Sequence, residues 1–502
     1  MESRSETSHP IIFASLFFLV GAVFRFYALD HQSIWNDEVF SLNVAKLPLA
    51  GIPGELRQSY FHPPLYFGLL HFIVNWLGTS EWALRLLSAL FGSLTVGAVF
   101  LVTWKLFNEQ SAMWASLFCL IAPFHIAYSQ EARPYALAGF FCVVSTVALY
   151  QAWVRKRPRY YVLYILATVV ALYTHHWVVF LISAQAAFVV TDGVLRRESL
   201  KLPVLSYLCI AASYVPLVGT VLHQTGRVSA APWFWAEPAS LDHVLWTALA
   251  FSGVYFKLAS GVFDTPLGVE VILVAVSLGL LGVSVWAARK RDARALHMVL
   301  FSIFGTLAIA FVISILRPEA YLWYRYPVIV FPLFCIAMGV GVNAIPRTHL
   351  QFVLAGVFVV LSALGTYRYY HWEKANAKSV ATFVEGVASE KADIIVRPPY
   401  FAELFNYYYR GSARQVNEGP FDSTIAPGLR NANRFVLITL DTPNEVRDLI
   451  DSRFEKVLER AFPGEANMGI LVGVYRKKAS PEKMLEFKSP TTTNKINKGG
   501  DS

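Results

Sequence analysis

The chain has 502 residues, of which 55% are hydrophobic and only 15% charged. Soluble domains carry about a quarter of charged residues, so most of this chain does not face water, as its mean hydropathy of +0.46 also requires. Lys and Arg outnumber Asp and Glu by 43 to 34, but they stand in short clusters between apolar runs, a pattern of membrane topology that excludes a nucleic-acid face.

The first apolar run, 11–29, has no small-residue cleavage site at its end and contains Arg25. It is expected to be a retained signal-anchor helix, not a cleaved signal peptide. Behind it comes "HQSIWNDEVFSLN" (31–43), whose adjacent acids Asp37 and Glu38 are embedded among Trp35, Val39 and Phe40. Such acids are either an ordinary loop end or a general base tuned by burial and neighbouring cations. In "FHPPLYF" (61–67), Pro63 forces His62 into an extended conformation and Pro64 suits the first turn of a helix. That places an imidazole beside a rigid turn at the bilayer surface.

A span needs roughly 20 apolar residues. Spans are expected at 84–106, 111–127, 134–153, 203–222, 267–288, 296–316, 326–344 and 350–370. Residues 160–190 are too long for one helix and "YTHHW" interrupts them. They are expected to cross twice, with His175 and His176 at the turn, which keeps "RKRPR" (155–159) and "RRESLK" (196–201) on one side. The apolar run in 64–78 is short for a crossing, and counting it as one would place these clusters and "RKRDAR" (289–294) outside. A re-entrant or juxtamembrane helix there puts all three inside, giving about eleven transmembrane helices, a cytoplasmic N-terminus and an external C-terminus.

Charged residues near membrane depth are functional candidates by default. Besides the first two acids, the outer loops carry Glu131 and Arg133 in "SQEARPY" (129–135), His175/His176, and Arg325 with Tyr324 in "LWYRYPVIVFP" (322–332). Glu131 and Arg133 either pair with each other or join a two-carboxylate site. Arg325 either grips a lipid phosphate bidentately or snorkels, and Arg25 and Arg85 carry the same alternatives. The two His residues lack the i, i+4 spacing of a helical zinc pair; they either fit an aromatic interfacial turn or take part in acceptor or sugar binding. In the long loop 223–266, Trp233 and Trp235 of "APWFWAEP" read as a membrane-interface anchor or a sugar-stacking platform.

Past 371 the pattern becomes that of a small soluble α/β domain, 371–478, with strands at "ADIIVRPPY", "RFVLITLD" and "GILVGVYRKK". An amphipathic helix is expected over "TPNEVRDLIDSRFEKVLERAF" (442–462), opened by a Thr cap and Pro. A polar tail, 479–502, is expected to be disordered. Cys119, Cys142, Cys209 and Cys335 lie in apolar runs without metal or disulfide spacing. There is no G-x-G-x-x-G or Walker loop in a strand-to-helix setting, which agrees with a donor other than a nucleotide sugar.

The ordered set "WNDEVFS", "HPPLYF", "ALRLLSALFG", "APFHIAYSQEARPYAL" and "YRYPVIVFP" resembles the membrane glycosyltransferases of the GT-C fold. It most resembles the bacterial protein-mannosyltransferase-like branch, which includes the rhizobial lipopolysaccharide galacturonosyltransferases and the aminoarabinose transferases. The resemblance implies a cell-envelope enzyme of the bacterial cytoplasmic membrane, its catalytic domain over 1–370 and its C-terminal domain extracytoplasmic. Such enzymes take a sugar from a polyprenyl-phosphate donor at the outer face to a lipid, glycan or protein acceptor, generally with inversion. It further implies Asp37 as general base towards the acceptor hydroxyl and Glu131 as the second acid. Glu38 would orient its neighbour or a metal. His62 and Arg325, with Arg133 and Tyr324, would lie at the donor phosphate. Asp37 and Glu131 are hard oxygen ligands suited to a divalent cation, whereas a phosphate held by Arg and His needs none; the residues leave both open. The other class compatible with the pattern is a transporter or flippase, but polar residues concentrated on one face, without internal repeats, favour an enzyme.

Overall fold

The computed structural model describes residues 9–59, 62–230, 238–252, 257–258, 261–262, 267–288, 294–322, 324–371, 376–388, 393–413, 433–440, 450–462 and 469–478. The chain divides into two compact units, 1–374 and 375–502.

The first unit is a helical bundle. Among the described residues, six helices are long and apolar enough to cross a membrane: Glu81–Leu106, Tyr135–Val154, Val178–Arg196, Lys201–Gly226, Arg294–Ser314 and Thr348–His371. Glu109–Ile121 and Pro123–Ser129, a pair bent by 60°, meet the same criterion only when taken together. The bend has a local cause. Pro123 has no N–H for the ladder and drives Ala122 into extended backbone, φ −65° and ψ 115°. The remaining expected spans are the shorter apolar helices Pro10–Phe26, Tyr160–Thr174, Phe331–Asn343 and the Val274–Val283 part of Leu267–Ala288.

Two topological expectations meet the geometry directly. Residues 160–190 do form two helices that meet at His175–Trp177. The helix Leu65–Leu77 does not carry the chain across. Arg85, in the second turn of Glu81–Leu106, donates to the carbonyls of Leu29 (2.8 Å) and Gln32 (2.9 Å), just past the first span. The chain therefore enters and leaves 30–80 at the same end of the bundle. At the other end, Asp192 accepts from Arg196 (2.9 Å) and Trp153 (2.9 Å) and pairs with Arg294, while Glu198 pairs with Lys156. The basic clusters after 154 and 195 thus share one end, as the double crossing requires.

The expected long loop 223–266 is largely helical where it is described. The Lys201 helix runs on to Ala230, and Leu241–Phe251 forms another helix. Continuation past His223 is possible because buried Gln224 finds a partner, donating from Nε2 to the Leu56 carbonyl at 2.6 Å. Trp233 and Trp235 lie outside the described residues.

Close helix approach is set by glycine where backbone meets backbone. A Cβ on Gly339 would stand 2.5 Å from the Ser111 carbonyl oxygen and 2.6 Å from the Ala115 nitrogen. Small residues allow such contact between membrane helices. Gly339→Val is expected to destabilise the bundle by about 1–3 kcal/mol through overpacking, read as a lower unfolding midpoint in detergent. An unchanged midpoint would show that the contact relaxes freely.

The second unit is built on a four-stranded sheet. Asp393–Arg397 pairs in parallel with Arg434–Thr439, which pairs antiparallel with Ile470–Lys477, and Phe454–Phe462 closes the other edge. A parallel pair needs a crossover connection, and the helix Pro399–Tyr408 lies within it. The expected helix over 442–462 is corrected here. Residues 441–449 lie outside the described set, 450–453 are helical, and 454–462 are strand. Strand wins because Phe454 and Phe462 anchor its ends while the residues between are exposed, so a helix there would bury no face. Charged Glu455, Lys456, Glu459 and Arg460 suit an exposed sheet edge. The tail from 479 lies outside the described residues.

Candidate active site

The site is assembled at one end of the first unit, where several helices stop or start. Asp37 opens the helix Asn36–Lys46, and His62 precedes Leu65–Leu77. Arg133 stands between Pro123–Ser129 and Tyr135–Leu149, His175 follows Tyr160–Thr174, and Arg325 leads into Tyr326–Ile329. Residues distant in sequence meet here because each of these side chains stands at or beside a helix end.

Asp37 is at the centre. Its Oδ2 accepts from Arg325 at 2.8 Å and lies 3.8 Å from the Arg133 guanidinium. Burial alone would push the Asp37 carboxyl up, but Arg325 and then Arg133 outweigh it and hold it below its ordinary 3.8. Asp37 is therefore ionised at neutral pH. Arg133 also donates to the Asp37 carbonyl oxygen (3.2 Å) and to Ser41 Oγ (3.4 Å), and it contacts His62 Nε2. Arg325 lies 5.1 Å from the ring centroids of both Trp35 and Tyr324, favourable cation–π geometry. Arg325 and Asp37 retain 12% and 18% side-chain exposure, so both remain reachable by a ligand.

Glu38 behaves differently from its neighbour. It is fully buried, and its two oxygens take Arg85 Nε and one Arg85 terminal nitrogen, each at 2.7 Å. It also accepts from the backbone N–H of Ala132 (2.9 Å) and Trp35 (3.3 Å). The Trp35 bond caps its own helix, while the bonds to Arg85 and Ala132 fasten the first loop to the second span and to the loop carrying Glu131. Arg85 adds the Ser33 carbonyl at 3.1 Å.

Neither Arg25 nor Arg85 fits the two roles the sequence left open, phosphate grip or snorkelling. Both are buried on carbonyl oxygens. Arg25 donates to Cys119 (3.0 Å) and Leu120 (3.3 Å), the last carbonyls of the helix broken at Pro123, and contacts His125 Nδ1 at 2.8 Å. In return, the Gln130 amide donates to the carbonyls of Arg25 (3.1 Å) and Tyr27 (2.8 Å). Each helix end is capped from the other, which fixes the loops bearing Asp37 and Glu131. The sequence signal for Arg85 was an arginine one turn inside a span that follows a loop with two adjacent acids.

Glu131 is 1% exposed, within electrostatic reach of Tyr128, Tyr369 and Tyr66. His62 and His175 touch edge to face, and His176 contacts the Tyr214 hydroxyl. Burial, then charged and imidazole neighbours, hold His62 and His175 well below 6.5, and burial pulls His176 down to about 4. All three rings are neutral. Among the described residues no group of three or more His, Cys, Asp or Glu is disposed to hold a metal. With Asp37 facing two guanidinium groups and Glu38 filled by Arg85, the side chains suit an anion better than a divalent cation.

The family of dolichyl-phosphate-mannose-protein mannosyltransferases matches residues 61–222, less than half of the chain. Apo ArnT from Cupriavidus metallidurans superposes with a TM-score of 0.59 at 16% identity, covering 93% of this chain and 98% of its own. ArnT bound to undecaprenyl phosphate gives 0.54 at 17% identity, covering 92% and 98%. The apo Archaeoglobus fulgidus oligosaccharyltransferase gives 0.55 at 11% identity, covering 87% of this chain and 70% of its own. No curated protein matches the chain significantly. The likeness spans both units of the chain and establishes the GT-C fold.

Proposed function

We propose that this chain is an integral membrane glycosyltransferase that moves a sugar from a polyprenyl-phosphate donor to the hydroxyl of a lipid, glycan or protein acceptor. The observation that carries it is the ionised Asp37 held between Arg325 and Arg133 on the rim of a GT-C fold. The match to the mannosyltransferase family and the likeness to ArnT bound to undecaprenyl phosphate support the same donor chemistry. Reading the basic clusters at the opposite end as cytoplasmic puts the site at the outer face of a bacterial cytoplasmic membrane, with the N-terminus inside.

The chemistry follows from the groups present. The acceptor oxygen attacks the anomeric carbon and its proton passes to Asp37. The carbon–oxygen bond to phosphate breaks on the opposite side, which inverts the centre, and polyprenyl phosphate leaves. Arg325 stabilises the charge that develops on the leaving oxygen, with Arg133, His62 and Tyr324 beside it. Glu131 orients the acceptor or sugar from the tyrosine-lined wall. Glu38 positions Asp37 through Arg85 and Ala132.

The Asp37–Arg325 pair has a kinetic consequence. Donor phosphate competes for Arg325, so Asp37 loses part of the interaction that keeps its carboxyl acidic, and its pKa rises in the complex. Since kcat/KM reports the free enzyme and kcat the complex, the acid limb of kcat is expected at higher pH than that of kcat/KM. Arg325→Lys is expected to raise KM for the donor about tenfold or more, because a lysine loses the planar fork. The test is transfer from labelled polyprenyl-phosphate sugars in proteoliposomes. Superimposable acid limbs, or an unchanged KM, would remove Arg325 from the phosphate.

A further inference from the structure

Two imidazoles at the site each carry an unused N–H. The guanidinium of Arg133 can only donate, so His62 Nε2 accepts from it and the ring proton sits on Nδ1. The backbone N–H of Trp177 donates to His175 Nδ1 at 3.2 Å, so the proton of that ring sits on Nε2. His62 Nδ1, His175 Nε2 and the neighbouring Arg133 Nε are all buried, and none has a hydrogen-bond partner among the described residues. The two rings are 5.3 Å apart, centroid to centroid, and Tyr326 (4.9 Å) and Tyr135 (5.4 Å) flank His175. His62 and His175 are only 4% and 2% exposed, so bulk water does not satisfy them.

A buried donor left without an acceptor costs about 1–3 kcal/mol, and such groups in a folded protein call for an explanation, a missing ligand among them. Here the three spare groups are all donors. The matching ligand brings acceptor oxygens. An ammonium substituent would add only further donors and meet the Arg133 and Arg325 guanidinium groups nearby.

We propose that His62 and His175 form the sugar subsite, and that they select a sugar bearing hydroxyl or carboxylate oxygens against one bearing a free amine. The inference rests on the polyprenyl-phosphate reading above. His175 acts as a specificity-determining residue, holding a substituent oxygen of the sugar through Nε2–H while Arg325 holds the phosphate.

The test uses the full-length protein in proteoliposomes with four ligands. These are polyprenyl phosphate carrying a neutral hexose, a hexuronate or an amino sugar, and bare polyprenyl phosphate. Binding and turnover are measured separately, so absent turnover would count against the glycosyltransferase reading while binding still ranks the sugars. The amino-sugar donor is expected to be at least about 100-fold poorer than the better oxygen-only donor, as when a site's polar groups are left unpaired. His175→Phe is expected to weaken the oxygen-only donor about tenfold or more and leave bare polyprenyl phosphate unchanged. His175→Gln, which keeps an N–H, should recover most of that binding. Equal binding of the amino-sugar donor would overturn the proposal. So would an equal loss of bare polyprenyl phosphate in His175→Phe, which would assign the ring to the phosphate.

Discussion

Asp37→Asn is expected to lower sugar transfer by at least about 100-fold, the usual scale of a general base, while the protein accumulates and folds normally. The amide is nearly isosteric with the carboxylate but cannot take the acceptor's proton. The two guanidinium groups then lose their counter-charge. Arg325 keeps 12% exposure, so water screens part of that loss. Arg133 keeps its bonds to the Asp37 backbone oxygen and Ser41. The loss is therefore expected in kcat, with an elution profile in detergent like that of the wild type. Normal turnover by this variant would remove Asp37 as the base.

The second large effect falls on stability. Glu38 and Arg85 are buried almost completely and paired through two nitrogen–oxygen contacts of 2.7 Å. Removing one partner of a buried pair leaves the other charged without compensation, at a cost of about 3–5 kcal/mol. Glu38→Gln and Arg85→Met are each expected to reduce the yield of folded protein sharply and lower the unfolding midpoint. Arg85→Met should be the worse of the two, since it also frees the carbonyls of Leu29, Gln32 and Ser33. Combining Glu38→Leu with Arg85→Met should be less damaging than the sum of Glu38→Leu and Arg85→Met made singly, because no buried charge is left alone. Strict additivity in that double-mutant cycle would show that the two residues act independently.

These two acids, adjacent in sequence, also show what was legible before the structure. The apolar runs located the helices because the bilayer imposes a length that composition alone reveals. The brevity of the run after His62 and the distribution of arginines identified a non-crossing helix, and Arg85 bonded to Leu29 and Gln32 gives the same topology. The split between Asp37 and Glu38 was not legible in the residues themselves. Both are acids in the same apolar context, and their difference arises from which arginine packs on each, a matter of side-chain contact across more than forty residues.

Arg25 was illegible for the same reason. Its partners are backbone carbonyls freed by a proline almost a hundred residues away, and carbonyls leave no mark in a sequence. The strand at Phe454–Phe462 was misread because charged residues at helical spacing look amphipathic until the pairing partner, Ile470–Lys477, is known. Propensity yields to tertiary pairing most readily at sheet edges. The turn holding His175 and His176 was located by the interruption "YTHHW". That His62 and His175 accept through opposite imidazole nitrogens became visible only with Arg133 and Trp177 in place.

The most direct measurement follows the label of a polyprenyl-phosphate-linked radioactive sugar in proteoliposomes with acceptor-bearing membrane extract, comparing wild type with Asp37→Asn. A glycosyltransferase moves the label from the polyprenyl phosphate to the acceptor in the wild type and fails to do so in the variant. Label that reaches the other leaflet still attached to polyprenyl phosphate, in both proteins alike, would contradict the account and make the chain a flippase.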